Sequence, residues 1–109
     1  MIVEYIRYKI ADVARQADLI YAYEAAQESL LISPHCLGYE LSQCGEEPSH
    51  FILRIEWDSH EGHLKGFRQS AEFRPFLIAV QPFVGDIEEM RHYEVTRVRR
   101  QGGRGVVNE

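Results

Sequence analysis

A chain of 109 residues, 45% hydrophobic and 27% charged, has the length of one domain and the make-up of an ordinary soluble globular protein. A fibrous or disordered class is excluded by that balance. The formal charge of −5 argues against nucleic acid as a partner, and no apolar run approaches the roughly 20 residues that a membrane span needs.

The first residues enter a strand-like pattern at once and include Glu4, which is not how a signal peptide begins. The expected location is the cytoplasm. Cys36 and Cys44 fit that location, because they mark the two ends of one candidate strand, about 27 Å apart at ~3.4 Å per residue. A disulfide needs Cα atoms within about 7 Å, and two free thiols suit a reducing compartment.

Taken in order, residues 2–10 alternate and are rich in β-branched and aromatic side chains, which predicts a strand. Asp12 offers an N-cap for a helix running to about residue 31, with Leu19, Ala22, Tyr23, Ala26 and Leu30 as its apolar stripe. Ser33-Pro34 stops that helix, since a residue before proline is pushed out of helical angles. Residues 36–43 predict a second strand and residues 50–57 a third, joined by the turn Gly45-Glu46-Glu47-Pro48. The third strand groups Phe51, Leu53, Ile55 and Trp57 against Arg54 and Glu56. Asp58 and Glu61 have capping-box spacing for a following helix that presents His60, Leu64 and Phe67. Pro75 forbids one continuous helix over 59–80, so a break is expected near Ser70, after which Phe73, Phe76, Leu77 and Val80 recur at helical spacing. Pro82 and Gly85 end it, and a long last strand is expected over 86–98.

The predicted fold is therefore α+β, a ferredoxin-like β-α-β-β-α-β domain over residues 1–98 followed by a flexible Arg/Gly tail over 99–109. Right-handed crossovers place both helices on one face of a four-stranded antiparallel sheet. The other face mixes Val3, Tyr5 and Ile52 with Arg7, Arg54 and Glu56. Such a face suits a subunit interface, and a homodimer is expected, with the long last strand reaching a partner.

The string Ile55-Glu56-Trp57-Asp58-Ser59, a helix after it, and then Ser70-Ala71-Glu72-Phe73 resembles the pattern of the antibiotic-biosynthesis-monooxygenase family. In that family a tryptophan ends the third strand and a Ser-x-x-Phe step precedes an apolar helix. Agreement in element order extends over residues 2–97. The resemblance implies a dimeric α+β barrel with a pocket between sheet and helices in each subunit. It also implies one of several activities: cofactor-free oxygenation of aromatic polyketides or quinols, haem degradation, or no known activity. Haem-degrading relatives carry an asparagine, a tryptophan and a histidine ligand where this chain has Ile6, Phe67 and a position near Leu77, which disfavours that branch. Ile10-Ala11-Asp12 also replaces the Lys-Pro-Gly turn of commoner relatives.

Cofactor-free oxygenation needs an electron-rich phenolic, anthrone-like or quinol-like substrate, a base to ionise it, and a pocket that excludes water. The expected partners are such a small aromatic and O₂. No cofactor is expected: Gly102-Gly103-Arg104-Gly105 lies in the tail without the strand–helix setting of a dinucleotide loop. Among five histidines, His63 and His92 are the candidate catalytic bases, His63 one turn before Phe67 and His92 sharing a strand face with Met90. Glu4, Tyr8, Tyr39, Trp57, Phe67 and Arg74 are the candidate substrate-binding residues. Glu4 is singled out because it shares a face with Ile2 and Ile6, where a carboxylate is out of place. No metal is expected, since His60-Glu61-Gly62-His63 misses the H-E-x-x-H spacing by one residue. The competing reading is a non-catalytic dimeric module that holds a small ligand or none.

Overall fold

The computed structural model describes residues 1–100, so most of the expected tail, including Gly102, Gly103, Arg104 and Gly105, lies outside the described residues. The strands are β1 (Ile2–Lys9), β2 (Cys36–Gln43), β3 (His50–Trp57) and β4 (Ile87–Glu94). The helices are α1 (Val13–Ile32) and α2 (Phe73–Val80), with a π-helical segment at Gly62–Phe67 and a 3₁₀ segment at Gln81–Asp86. The sheet order is β2-β3-β1-β4 with every neighbouring pair antiparallel, the ferredoxin-like arrangement that the element order predicts.

Alternation decides which side chains meet the helices. Ile6 and Tyr8 of β1 and Phe51, Leu53, Ile55 and Trp57 of β3 form one buried cluster with Leu19, Tyr23, Ala26 and Leu30 of α1 and Phe76 and Val80 of α2. α1 starts and stops as expected. The Asp12 carboxylate accepts the Ala14 N–H at 2.9 Å, and Ser33 has left helical angles at φ −68°, ψ 124°. Cys36 and Cys44 are free thiols.

Three expectations need correction. β4 ends at Glu94 instead of running on to residue 98. Among the described residues it pairs with β1 alone, and its last bond is from the Val95 N–H to the Met1 carbonyl at 3.1 Å. The capping box does not form. Asp58 turns to His35 at 2.9 Å, Glu61 to Lys65 at 3.5 Å, and the Ser59 hydroxyl accepts the Gly62 N–H instead at 2.8 Å.

The third correction concerns the segment after Ser59. Its wider π winding, with i→i+5 bonds such as Arg68 N–H to the His63 carbonyl, turns His63 and Phe67 to the sheet and leaves Leu64 and His60 outside. Glycines let this segment approach the start of β2: a Cβ on Gly66 would lie 2.3 Å from the His35 ring, and one on Gly62 2.0 Å from the Asp58 carboxylate.

Candidate functional site

Between the sheet and α2 lies a cavity of about 180 Å³ whose wall is mostly apolar, with Ile6, Ile55, Trp57, Phe67, Phe76, Leu77 and Met90 among its lining. The buried polar groups of the cavity gather at two ends, one around Glu4 and one around Tyr8, both on β1. Four residues of strand separate them, about 14 Å.

At one end the Tyr8 and Tyr23 hydroxyls bond each other at 2.5 Å. Burial raises both phenols above their ordinary range, so the pair stays neutral. At the other end Glu4 stands opposite Ile55 on β3 and His92 on β4. It is 3% exposed, and its Oε1 accepts the Trp57 indole N–H at 3.1 Å. Burial raises the Glu4 pKa, partly offset by the indole bond and by the charge of Arg68 at the cavity rim. The same carboxylate oxygen lies 3.4 Å from His63 Nε2.

His63 is also 3% exposed and stacks on Trp57, with ring centroids 4.5 Å apart and planes 10° off parallel. Its second nitrogen, Nδ1, is 2.9 Å from His92 Nε2. Burial, reinforced by the charges of His92, Arg68 and His60, pushes the His63 pKa down to about 4. The imidazole in the 3.4 Å contact with Glu4 is therefore neutral, because burial opposes its charge. His92 is half-buried, with its pKa lowered mainly by burial, and stacks with the exposed His60 at 5.1 Å. Glu4, His63 and His92 thus form a line from the cavity to the surface.

The structure brings together six of the eight sequence-predicted residues: Glu4, Tyr8, Trp57, His63 and Phe67 on the cavity wall and His92 behind His63. Two are elsewhere. Tyr39 lines a separate cleft between α1 and β2 and bonds Gln27 at 2.7 Å, because β2 is two strands away from β1. Arg74 sits on the exposed side of α2, and it is Arg68 that reaches the rim. Tyr23 was hidden by its place in the α1 apolar stripe, although a tyrosine there needs a buried partner for its hydroxyl. The expected absence of a metal rested on His60 and His63. In the fold it is Glu4, His63 and His92 that can each bring a donor atom within 4.8 Å of the others.

Among known proteins, one curated relative is the uncharacterized protein YczJ of Bacillus subtilis (strain 168), 30% identical over 58 residues. That match covers 53% of this chain and 61% of YczJ, short of two thirds of its length. SnoaB, a cofactor-independent oxygenase of Streptomyces nogalater, superposes with a TM-score of 0.66 at 12% identity, over 94% of this chain and 96% of its own. A conserved protein of Methanosarcina mazei Go1 gives 0.71 at 16% identity, over 87% and 92%. These identities speak for the fold alone. Residues 1–77, carrying β1 to most of α2 and with them Glu4, Trp57 and His63, match the family described as antibiotic biosynthesis monooxygenase, and the chain belongs to that family.

Proposed function

We propose that this protein is a monooxygenase that oxidises a small phenol or quinol with O₂ and without a cofactor. One observation carries the reading: a buried carboxyl with a raised pKa stands at the wall of an apolar cavity, with two imidazoles leading from it to the surface. Both His63 nitrogens already face partners, so the first proton acceptor is Glu4, and His63 and His92 carry the proton outward. Family membership and the likeness to SnoaB support the oxygenase class.

The chemistry balances with O₂ as sole oxidant. Glu4 removes a hydroxyl proton, and the resulting phenolate passes one electron to O₂. The two radicals join at a ring carbon, and the peroxide loses water. For a hydroquinone the product is a hydroxyquinone: one oxygen atom enters the ring, and the other leaves as water with one phenolic hydrogen and the hydrogen of the attacked ring carbon, whose C–H bond breaks. The apolar wall raises the energy of the phenolate relative to its products and excludes competing proton donors.

Size narrows the substrate. An apolar cavity of roughly 150 Å³ takes benzene, so about 180 Å³ suits one or two rings better than the three of an anthrone. Oxygen uptake should therefore exceed the spontaneous rate with hydroquinones and naphthols before anthrones. No excess uptake across all three classes would end the oxygenase reading and leave a ligand-holding module.

The same proposal includes a homodimer through the open sheet face. There Tyr5, Arg7, Ile52 and Tyr93 line a shallow cleft of about 290 Å³, with Ile52 42% and Tyr93 51% exposed. Light scattering at micromolar concentration should give twice the chain mass of 12.7 kDa; a monomer would remove this part.

A further inference from the structure

We infer that His63 and His92 form a binding site for a divalent cation of the zinc class, with Glu4 as the carboxylate behind His63. The seat is the gap between His63 Nδ1 and His92 Nε2, 2.9 Å wide. Two imidazole nitrogens bound at about 2.1 Å lie roughly 3.0 Å apart at a right angle and about 3.4 Å apart at a tetrahedral one. The gap thus fits cis ligands of a six-coordinate ion as it stands, and a tetrahedral ion after the rings part by about half an ångström. A cation there replaces the single proton that the two neutral rings share.

The surroundings are those of a histidine metal ligand. A metal-bound imidazole gains basicity when its other nitrogen donates to a carboxylate, and His63 Nε2 faces Glu4 at 3.4 Å while Trp57 fixes the Glu4 oxygen from the other side. The His63 ring is held flat against Trp57, which fixes its direction before any ion arrives. Access is from the His92 side, where His92 is half-buried and His60 exposed. Imidazole donors select zinc, cobalt, nickel or copper over magnesium or calcium. Arg68 opposes the ion, since its charge already reaches both histidines.

Binding is independent of any oxygenase activity, though on that reading an ion in the gap cuts the proton path and inhibits. The chain has one tryptophan, Trp57, stacked on His63, so a paramagnetic ion in the gap quenches its emission. Protein stripped with a chelator is titrated with Co(II), without aromatic substrate, following Trp57 emission and cobalt absorption, and with Zn(II) by calorimetry. Saturation is expected at one ion per chain. It should be lost in H92Q, weakened about 10- to 100-fold in E4Q, tightened in R68Q and unchanged in H50N, which alters a histidine elsewhere. H92Q is the decisive variant because that side chain is only half-buried and its loss spares the core. Absence of saturable quenching in the wild type, or quenching that survives H92Q, overturns the site. Zinc binding without inhibition, or without any oxygen uptake to inhibit, counts against the oxygenase proposal and leaves the site standing.

Discussion

The two polar ends of the cavity invite comparison. Both are placed by β1, both are buried, and both consist of side chains touching at hydrogen-bond range. Yet the tyrosine end is closed: Tyr8 and Tyr23 satisfy each other, and burial holds both phenols neutral. The Glu4 end is open-ended. Its carboxyl is shared by an indole and an imidazole, and the second imidazole nitrogen continues to His92 near the surface. A closed buried pair stabilises and specifies a core. A buried pair with an exit can change its protonation, and that difference is what makes Glu4 the candidate for chemistry.

The largest effect expected from breaking this contrast is in E4Q. The amide oxygen can still accept from Trp57 but cannot take a proton, so oxygen uptake should fall by about 10²–10⁴ with little change in Tm. Equal losses in activity and stability would make Glu4 a structural residue. Next comes W57A, which removes the wholly buried ring that holds Glu4 and His63 in place. Truncating such a side chain costs about 3–5 kcal/mol, readable by urea denaturation.

Acid should separate the ends further. The folded pKa of His63, about 4, lies below its unfolded value of roughly 6.5. Its contribution to stability is therefore complete above the unfolded value and lost as pH falls toward the folded one, roughly 2 kcal/mol between pH 7 and 5. The raised pKa of Glu4 acts in the opposite sense, since a proton held more tightly in the fold is a gain that fades as pH rises. Comparing wild type with H63Q isolates the histidine: the wild type should lose the larger share of its stability over that interval. A parallel loss in both would deny His63 its buried, neutral state.

At the tyrosine end, Y8F should cost about 1–3 kcal/mol by stranding the Tyr23 hydroxyl. Y8F/Y23F should recover part of that, because neither hydroxyl is then left unpaired. Calorimetry on the two variants tests this, and strict additivity would show the two hydroxyls to be uncoupled. R74A, on the exposed side of α2, should stay within about 0.5 kcal/mol and leave oxygen uptake unchanged.

Much of this was legible before the fold. β2 and β3 fall where alternation puts them, Asp12 caps α1 as its type and place suggest, and Trp57 sits at the end of its strand against the cavity. Glu4 could be singled out because period-2 alternation alone puts a carboxylate in line with Ile2 and Ile6. Tyr39 and Arg74 were misplaced because lateral strand order and helix rotation are not encoded in local spacing.

Chain-local rules thus determined the elements, their order and the faces of the strands, since those depend on neighbours one to four residues away. What only the tertiary structure decided is which neighbours cross from one element to another. The register Glu4 opposite His92 and the closing of Tyr8 on Tyr23 join residues 88 and 15 positions apart, and the π winding turns His63 inward to Glu4, 59 positions away. Such contacts form through the shared burial of many side chains at once, and no spacing in a single segment records them.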